Sequence, residues 1–117
     1  LPESISVKML AGLKEEGRFL TDYGLATESL KSPFYNSDGY WRGPIWAPVM
    51  MLMTDALYRT GETEFSKELS DRDLNLGHTG GLAENFDAKT GKGLRDKGFA
   101  WTSAVLLILN NSFERTN

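Results

Sequence analysis

Two stretches of this chain are apolar around nearly the whole circumference of a helix, and they constrain its fold more than anything else in it. The first is Ala47-Pro48-Val49-Met50-Met51-Leu52-Met53-Thr54-Asp55-Ala56-Leu57-Tyr58; the second is Phe99-Ala100-Trp101-Thr102-Ser103-Ala104-Val105-Leu106-Leu107-Ile108-Leu109. A helix that is hydrophobic all round is buried on more than one side. Periodicity alone also allows the second stretch to be a buried strand, but its length and helical company favour a helix. At 117 residues the chain offers about one domain, too little to wrap two such helices completely. The expectation is therefore an assembly larger than this chain, with the missing helices supplied by a longer parent polypeptide or another subunit.

The remaining pattern is also helical. Ile5, Met9, Leu10 and Leu13 lie on one face of an amphipathic helix that should stop by Gly17, and Phe19 to Tyr23 reads as a further helical turn. Ala26 to Asp38 is a Ser-, Asn- and Pro-rich connection, and Asp38-Gly39 is a turn signal. Pro44 and Pro48 suit the approach to a helix and its first turn, while Gly61 suits its end. Glu62 to Leu76 reads as a more polar helix with Phe65 and Leu69 on one face. About five helices result, an all-α class whose alternation of amphipathic and buried helices fits a two-layer helical barrel.

Composition removes several kinds of chemistry. The chain has no Cys and a single His, which excludes disulfide frameworks, Cys-based metal sites and thiol nucleophiles, and leaves little for a His-based triad. No metal site and no cofactor is expected. Thirteen basic against 16 acidic residues give a net charge of −3, the wrong sign for a nucleic-acid partner. The most apolar run, Ile45 to Met53, is nine residues, short of the roughly 20 that span a bilayer. Neither a membrane partner nor a signal segment is expected, and the compartment stays open. The sequon Asn110-Asn111-Ser112 is read as coincidental at the end of a very apolar segment.

Two loops carry more than a connector requires. Tyr40-Trp41-Arg42-Gly43-Pro44-Ile45-Trp46 places two indoles, a phenol and a guanidinium at a helix start. Aromatic faces stack on sugar rings, Arg offers a fork of donors, and a helix N-terminus adds free N–H groups. The two indoles could equally be core anchors. The second loop, Gly80 to Gly93, carries Glu84 among small and apolar residues, where a carboxylate can serve as general acid or base or simply be solvated. Asp87 to Gly93 matches neither the EF-hand nor the P-loop spacing. Trp101 is near enough in sequence to face the same cavity as Glu84. Thr27-Glu28-Ser29 is read as a capping feature in preference to a pocket edge, and His78 as capping or hydrogen-bonding the Gly-rich turn. Met50, Met51 and Met53 are read as core filling.

Gly24-Leu25-Ala26-Thr27-Glu28-Ser29, Ser32-Pro33-Phe34-Tyr35, Gly39 to Trp46, Gly81 to Gly91 and Phe99 to Ser103 together resemble the C-terminal part of the family 63 type of (α/α)6-barrel glycoside hydrolases. That group includes processing α-glucosidase and mannosylglycerate hydrolase and is related to the family 37 trehalases. The resemblance implies that residues 1–117 are a C-terminal portion of a six-hairpin toroid. It also implies inverting hydrolysis of an α-linked glucoside or related sugar, with a carbohydrate substrate and the remainder of the barrel as partners. Glu84 matches the family's general base. Tyr40, Trp41, Arg42, Gly43 and Trp101 fall where the family binds sugar in the −1 site. The general acid lies upstream in such enzymes and nothing here matches it, and the segment Ser70 to Gly80 looks shorter and more polar than the family's. The isolated chain is expected to be inactive, since acid and base each contribute on the order of 10²–10⁴ in rate. The alternatives are a non-catalytic carbohydrate-binding helical module, an inactive fragment, or a helical interaction domain that binds no sugar.

Overall fold

The computed structural model describes residues 1–114, with side chains through Ser112. Helices dominate it: α1 (Glu3–Lys14), α2 (Ala47–Arg59), α3 (Thr63–Gly80) and α4 (Ala100–Glu114). Two antiparallel hairpins of two-residue strands interrupt them, β1 (Leu20–Thr21) with β2 (Gly24–Leu25), and β3 (Asn85–Phe86) with β4 (Gly93–Leu94). No helix among the described residues is long and apolar enough to cross a membrane.

The helices begin and end close to where patterning puts them. Pro48 occupies the first turn of α2, where its missing N–H leaves no gap, and Thr60 and Gly61 close the last turn on the carbonyls of Ala56, Leu57 and Tyr58. Helix α3 continues to Gly80, four residues beyond the expected Leu76. It survives Gly77 because that glycine is a contact point: a Cβ there would lie 2.3 Å from Leu106 Cδ1 of α4. Among the described residues there are four helices rather than five. Phe19 to Tyr23, expected as a helical turn, is instead the first hairpin. The Thr21 hydroxyl explains this, accepting from the N–H groups of Tyr23 and Gly24 and donating to the Gly24 carbonyl at 3.0 Å. A short side chain that bonds its own turn competes with the helix.

The core lies in two clusters. The larger joins Leu20, Leu25, Ile45, Met50, Leu57, Phe65, Leu69, Leu76 and Phe86; the smaller joins Ala47, Val105 and Leu109. Helix α2 contributes to both, packing on α3 and on α4. Met50 is fully buried and Met51 and Met53 pack at the cluster edges, as core filling requires.

The molecule measures 40 × 39 × 19 Å, and 19 Å is close to two helix diameters. A slab of that thickness cannot cover its helices on every side. Leu52 and Tyr58 of α2 and Leu107 and Ile108 of α4 are exposed, as are Ile5, Val7 and Met9 of α1, which buries no residue at all. The two all-round apolar helices thus each bury one face and leave another bare.

Candidate active site

The segment from Asn36 to Gly43 folds back on itself. Asn36 N donates to the Arg42 carbonyl at 2.7 Å, Gly39 N to the Asn36 carbonyl at 2.9 Å, and Asp38 N to Asn36 Oδ1 at 3.0 Å. Gly43 closes the loop where no side chain fits, since a Cβ would lie 2.2 Å from the Asn36 carbonyl oxygen. Thr27 braces this corner from outside: its hydroxyl donates to the Pro44 carbonyl at 2.9 Å and accepts from Gly43 N at 3.2 Å. The expected capping role of Thr27 is thereby corrected, because its neighbours form no helix for it to cap. Beyond the brace, Ile45 and Phe86 exchange two backbone hydrogen bonds at 2.7 and 2.9 Å, fastening this loop to β3.

The second loop is fixed as firmly. Glu84 N donates to the Asp96 carbonyl at 2.8 Å, Phe99 N to the Leu82 carbonyl at 2.9 Å, and the buried Thr102 hydroxyl to the Ala83 carbonyl at 2.6 Å. Glu84 therefore sits between a strand start and the first turn of α4, with little backbone freedom. Asp87 commits one carboxyl oxygen to its own turn, accepting from Lys89 N at 2.8 Å. His78 is exposed in the last turn of α3, and no hydrogen bond from its ring to the Gly-rich turn is seen among the described residues.

Between the loops lies a continuous aromatic surface. Trp46 is fully buried, and its ring stacks on Trp41 with centroids 4.1 Å apart and planes 7° from parallel. Tyr40 and Trp101 each meet Trp46 edge-on, at 4.7 and 5.5 Å. Trp41 is 50% exposed, Trp101 42% and Tyr40 39%, so one indole is the anchor and the others offer their faces. The core-anchor reading holds for Trp46, whereas Trp41 keeps half of its surface open.

Tyr40 joins this surface to the carboxylate. Its hydroxyl donates to Glu84 Oε1 at 2.7 Å, its carbonyl accepts from Trp46 Nε1 at 3.0 Å, and its backbone is left-handed at φ 64°. Such a conformation in a non-glycine residue costs of order 1–3 kcal/mol and persists only where surroundings enforce it. The hydrogen bond to Glu84 pushes the Tyr40 phenol above its ordinary pKa, with desolvation adding to the effect. Arg95, also left-handed at φ 65°, lies 5.4 Å from the Tyr40 ring centroid and pairs with Asp38 Oδ1 at 3.0 Å.

The structure thus brings Tyr40, Trp41, Trp101 and Glu84 together. Gly43 is buried beneath them with its N–H committed to Thr27, and Arg42 is exposed, its guanidinium making no hydrogen bond among the described residues. Arg95, Asp38 and Thr27 belong to the same construction and were not legible as such: the sequence marks Asp38 only as part of a turn, Thr27 only as a cap and Arg95 not at all, and the contacts Arg95–Asp38 and Thr27–Gly43 span 57 and 16 residues. No group of three or more His, Cys, Asp or Glu side chains among the described residues could hold a metal ion.

Residues 1–102 match the mannosylglycerate hydrolase MGH1-like glycoside hydrolase domain. The chain belongs to this family. It is 32% identical over 93 residues to a mannosylglycerate hydrolase, MGH2, of Selaginella moellendorffii, covering 78% of this chain and 19% of that protein. It is 29% identical over 122 positions to a probable mannosyl-oligosaccharide glucosidase of Schizosaccharomyces pombe, covering 90% of this chain and 15% of the relative. Among solved structures, the GH63 mannosylglycerate hydrolase of Thermus thermophilus in complex with glucose superposes with a TM-score of 0.81 at 28% identity, over 94% of this chain and 28% of that one. The chain spans about a fifth of the length of the curated relatives it matches. The architecture is that of a portion of an (α/α) barrel.

Proposed function

We propose that residues 1–117 form a C-terminal portion of the catalytic barrel of a glycoside hydrolase and supply its general base, Glu84. The observation that carries this reading is the placement of one carboxylate beside an aromatic surface. Tyr40, hydrogen-bonded to Glu84, continues through the buried Trp46 to Trp41 and Trp101, whose exposed faces suit the apolar face of a pyranose. Apart from the Tyr40 hydrogen bond, Glu84 makes no side-chain hydrogen bond among the described residues, so one oxygen is left for water.

In the proposed reaction the substrate is an α-linked glucoside or related sugar. Glu84 takes a proton from water as the water oxygen bonds to the anomeric carbon. The bond to the leaving oxygen breaks, and that oxygen receives a proton from an acid outside this chain. Carboxyl groups in such inverting pairs stand roughly 6.5–9.5 Å apart to admit the water. Trp41 and Trp101 line the sugar, and Arg42, exposed beside them, reaches its hydroxyls. The bare faces of α1, α2 and α4 pack against the rest of the barrel.

Product stereochemistry tests the reaction class. Hydrolysis of an α-linked substrate by the complete protein, followed by proton NMR during the first turnovers, is expected to release the β-anomer. The α-anomer as first product would exclude an inverting base and, with it, this role for Glu84.

A further inference from the structure

We propose that Tyr40 is a positioning residue for Glu84, fixing its carboxylate so that Oε2 rather than Oε1 accepts the proton from water. This rests on the reading of Glu84 as the base.

Four contacts pin Tyr40, and none of them needs substrate. Its carbonyl is held by the indole N–H of Trp46, a fully buried ring. Its ring is wedged edge-on against that indole at 4.7 Å. Its outer side is covered by the Arg95 guanidinium, itself tied to the Asp38 side chain at 3.0 Å and the Asp38 carbonyl at 3.1 Å. Its hydroxyl occupies Glu84 Oε1 at 2.7 Å. A left-handed tyrosine tied at backbone, ring and hydroxyl has little freedom to turn toward a ligand, whereas Trp41 and Trp101 keep open faces.

The carboxylate it holds needs holding. The Glu84 backbone is clamped through Asp96 and its neighbour Ala83, yet the side chain is only partly buried and has three rotatable bonds. A general base must present one oxygen to one water, and small misplacements at this step are costly. A phenol donor at Oε1 consumes that oxygen and fixes the rotamer, which leaves Oε2 for water. Two pairs distant in sequence, Asp38 with Arg95 and Tyr40 with Glu84, then converge on one function: the orientation of a carboxylate.

Tyr40→Phe in the complete protein removes the hydroxyl and keeps the ring. The expected result is a fall in kcat of about tenfold to a hundredfold with KM changed less than about twofold. The decisive comparison repeats the substitution in a Glu84→Ala background whose turnover is supported by added azide. There the anion attacks the anomeric carbon as the leaving oxygen departs, giving a glycosyl azide. With no Glu84 to position, Tyr40→Phe is expected to change that rate by less than about twofold. Equal losses in both backgrounds would overturn the proposal and make Tyr40 a sugar contact. A KM effect without a kcat effect would overturn it likewise. Undiminished hydrolysis by Glu84→Ala without azide would instead remove the general-base reading on which the proposal rests. Should Tyr40→Phe fail to fold, Arg95→Met provides the second arm: a loss of several-fold in kcat at unchanged KM supports the proposal, and no loss overturns it.

Discussion

Trp46 is the pillar of the aromatic surface, and removing it should cost far more than removing the indole stacked on it. In Trp46→Ala a fully buried ring is deleted, which costs about 3–5 kcal/mol in transfer and cavity terms. The Tyr40 carbonyl also loses the indole N–H at 3.0 Å, adding about 1 kcal/mol for an unmet acceptor. The sum is about 4–6 kcal/mol. Trp41 is half exposed, so Trp41→Ala gives up about half of a full burial, roughly 1–1.5 kcal/mol. At a common m-value, the urea midpoint of the complete protein should fall about four times as far for Trp46→Ala as for Trp41→Ala. Sugar affinity should rank the other way per unit of stability lost, since Trp41 presents the open face. Equal midpoints for the two variants would refute the division of labour between anchor and platform.

Two further outcomes follow from single residues. Gly43→Ala drives a methyl into the Asn36 carbonyl at 2.2 Å; backbone cannot step aside cheaply, so loss of sugar binding together with a stability loss above about 2 kcal/mol is expected, and wild-type thermal unfolding and affinity would refute it. Asp73, buried in α3 with neither carboxyl oxygen hydrogen-bonded among the described residues, has its pKa raised by desolvation from 3.8 to about 7. The folded chain therefore keeps a proton that the unfolded chain releases between about pH 4 and 7, and stability falls as pH rises through that window, by at most about 4 kcal/mol. Asp73→Asn should flatten the urea midpoint between pH 5 and 7.5; an unchanged pH slope would contradict it.

What was legible in the sequence is what local pattern encodes. The all-round apolar stretches are helices, their surplus of apolar faces is bare in the structure, and Trp41, Tyr40, Trp101 and Glu84 converge although they span 62 positions. The first hairpin was missed because Thr21 settles it by bonding its own turn, a contest that apolar periodicity does not register. Asp73 carried a readable signal: it falls four residues after Leu69 and three before Leu76, on the buried stripe of α3. Arg95 carried none. Its place over Tyr40 depends on two left-handed residues and a hairpin that bring positions 38 and 95 together, and no spacing rule foresees that.

The most direct measurement on the central claim is turnover and sugar binding by Glu84→Gln in the complete protein. The substitution keeps the size of the side chain and its carbonyl acceptor for Tyr40, and takes away only the capacity to accept a proton. Loss of at least about 10²-fold in kcat is expected, with sugar affinity within a few-fold of wild type. Wild-type turnover in that variant would show that the base lies elsewhere and that this aromatic corner only holds the sugar.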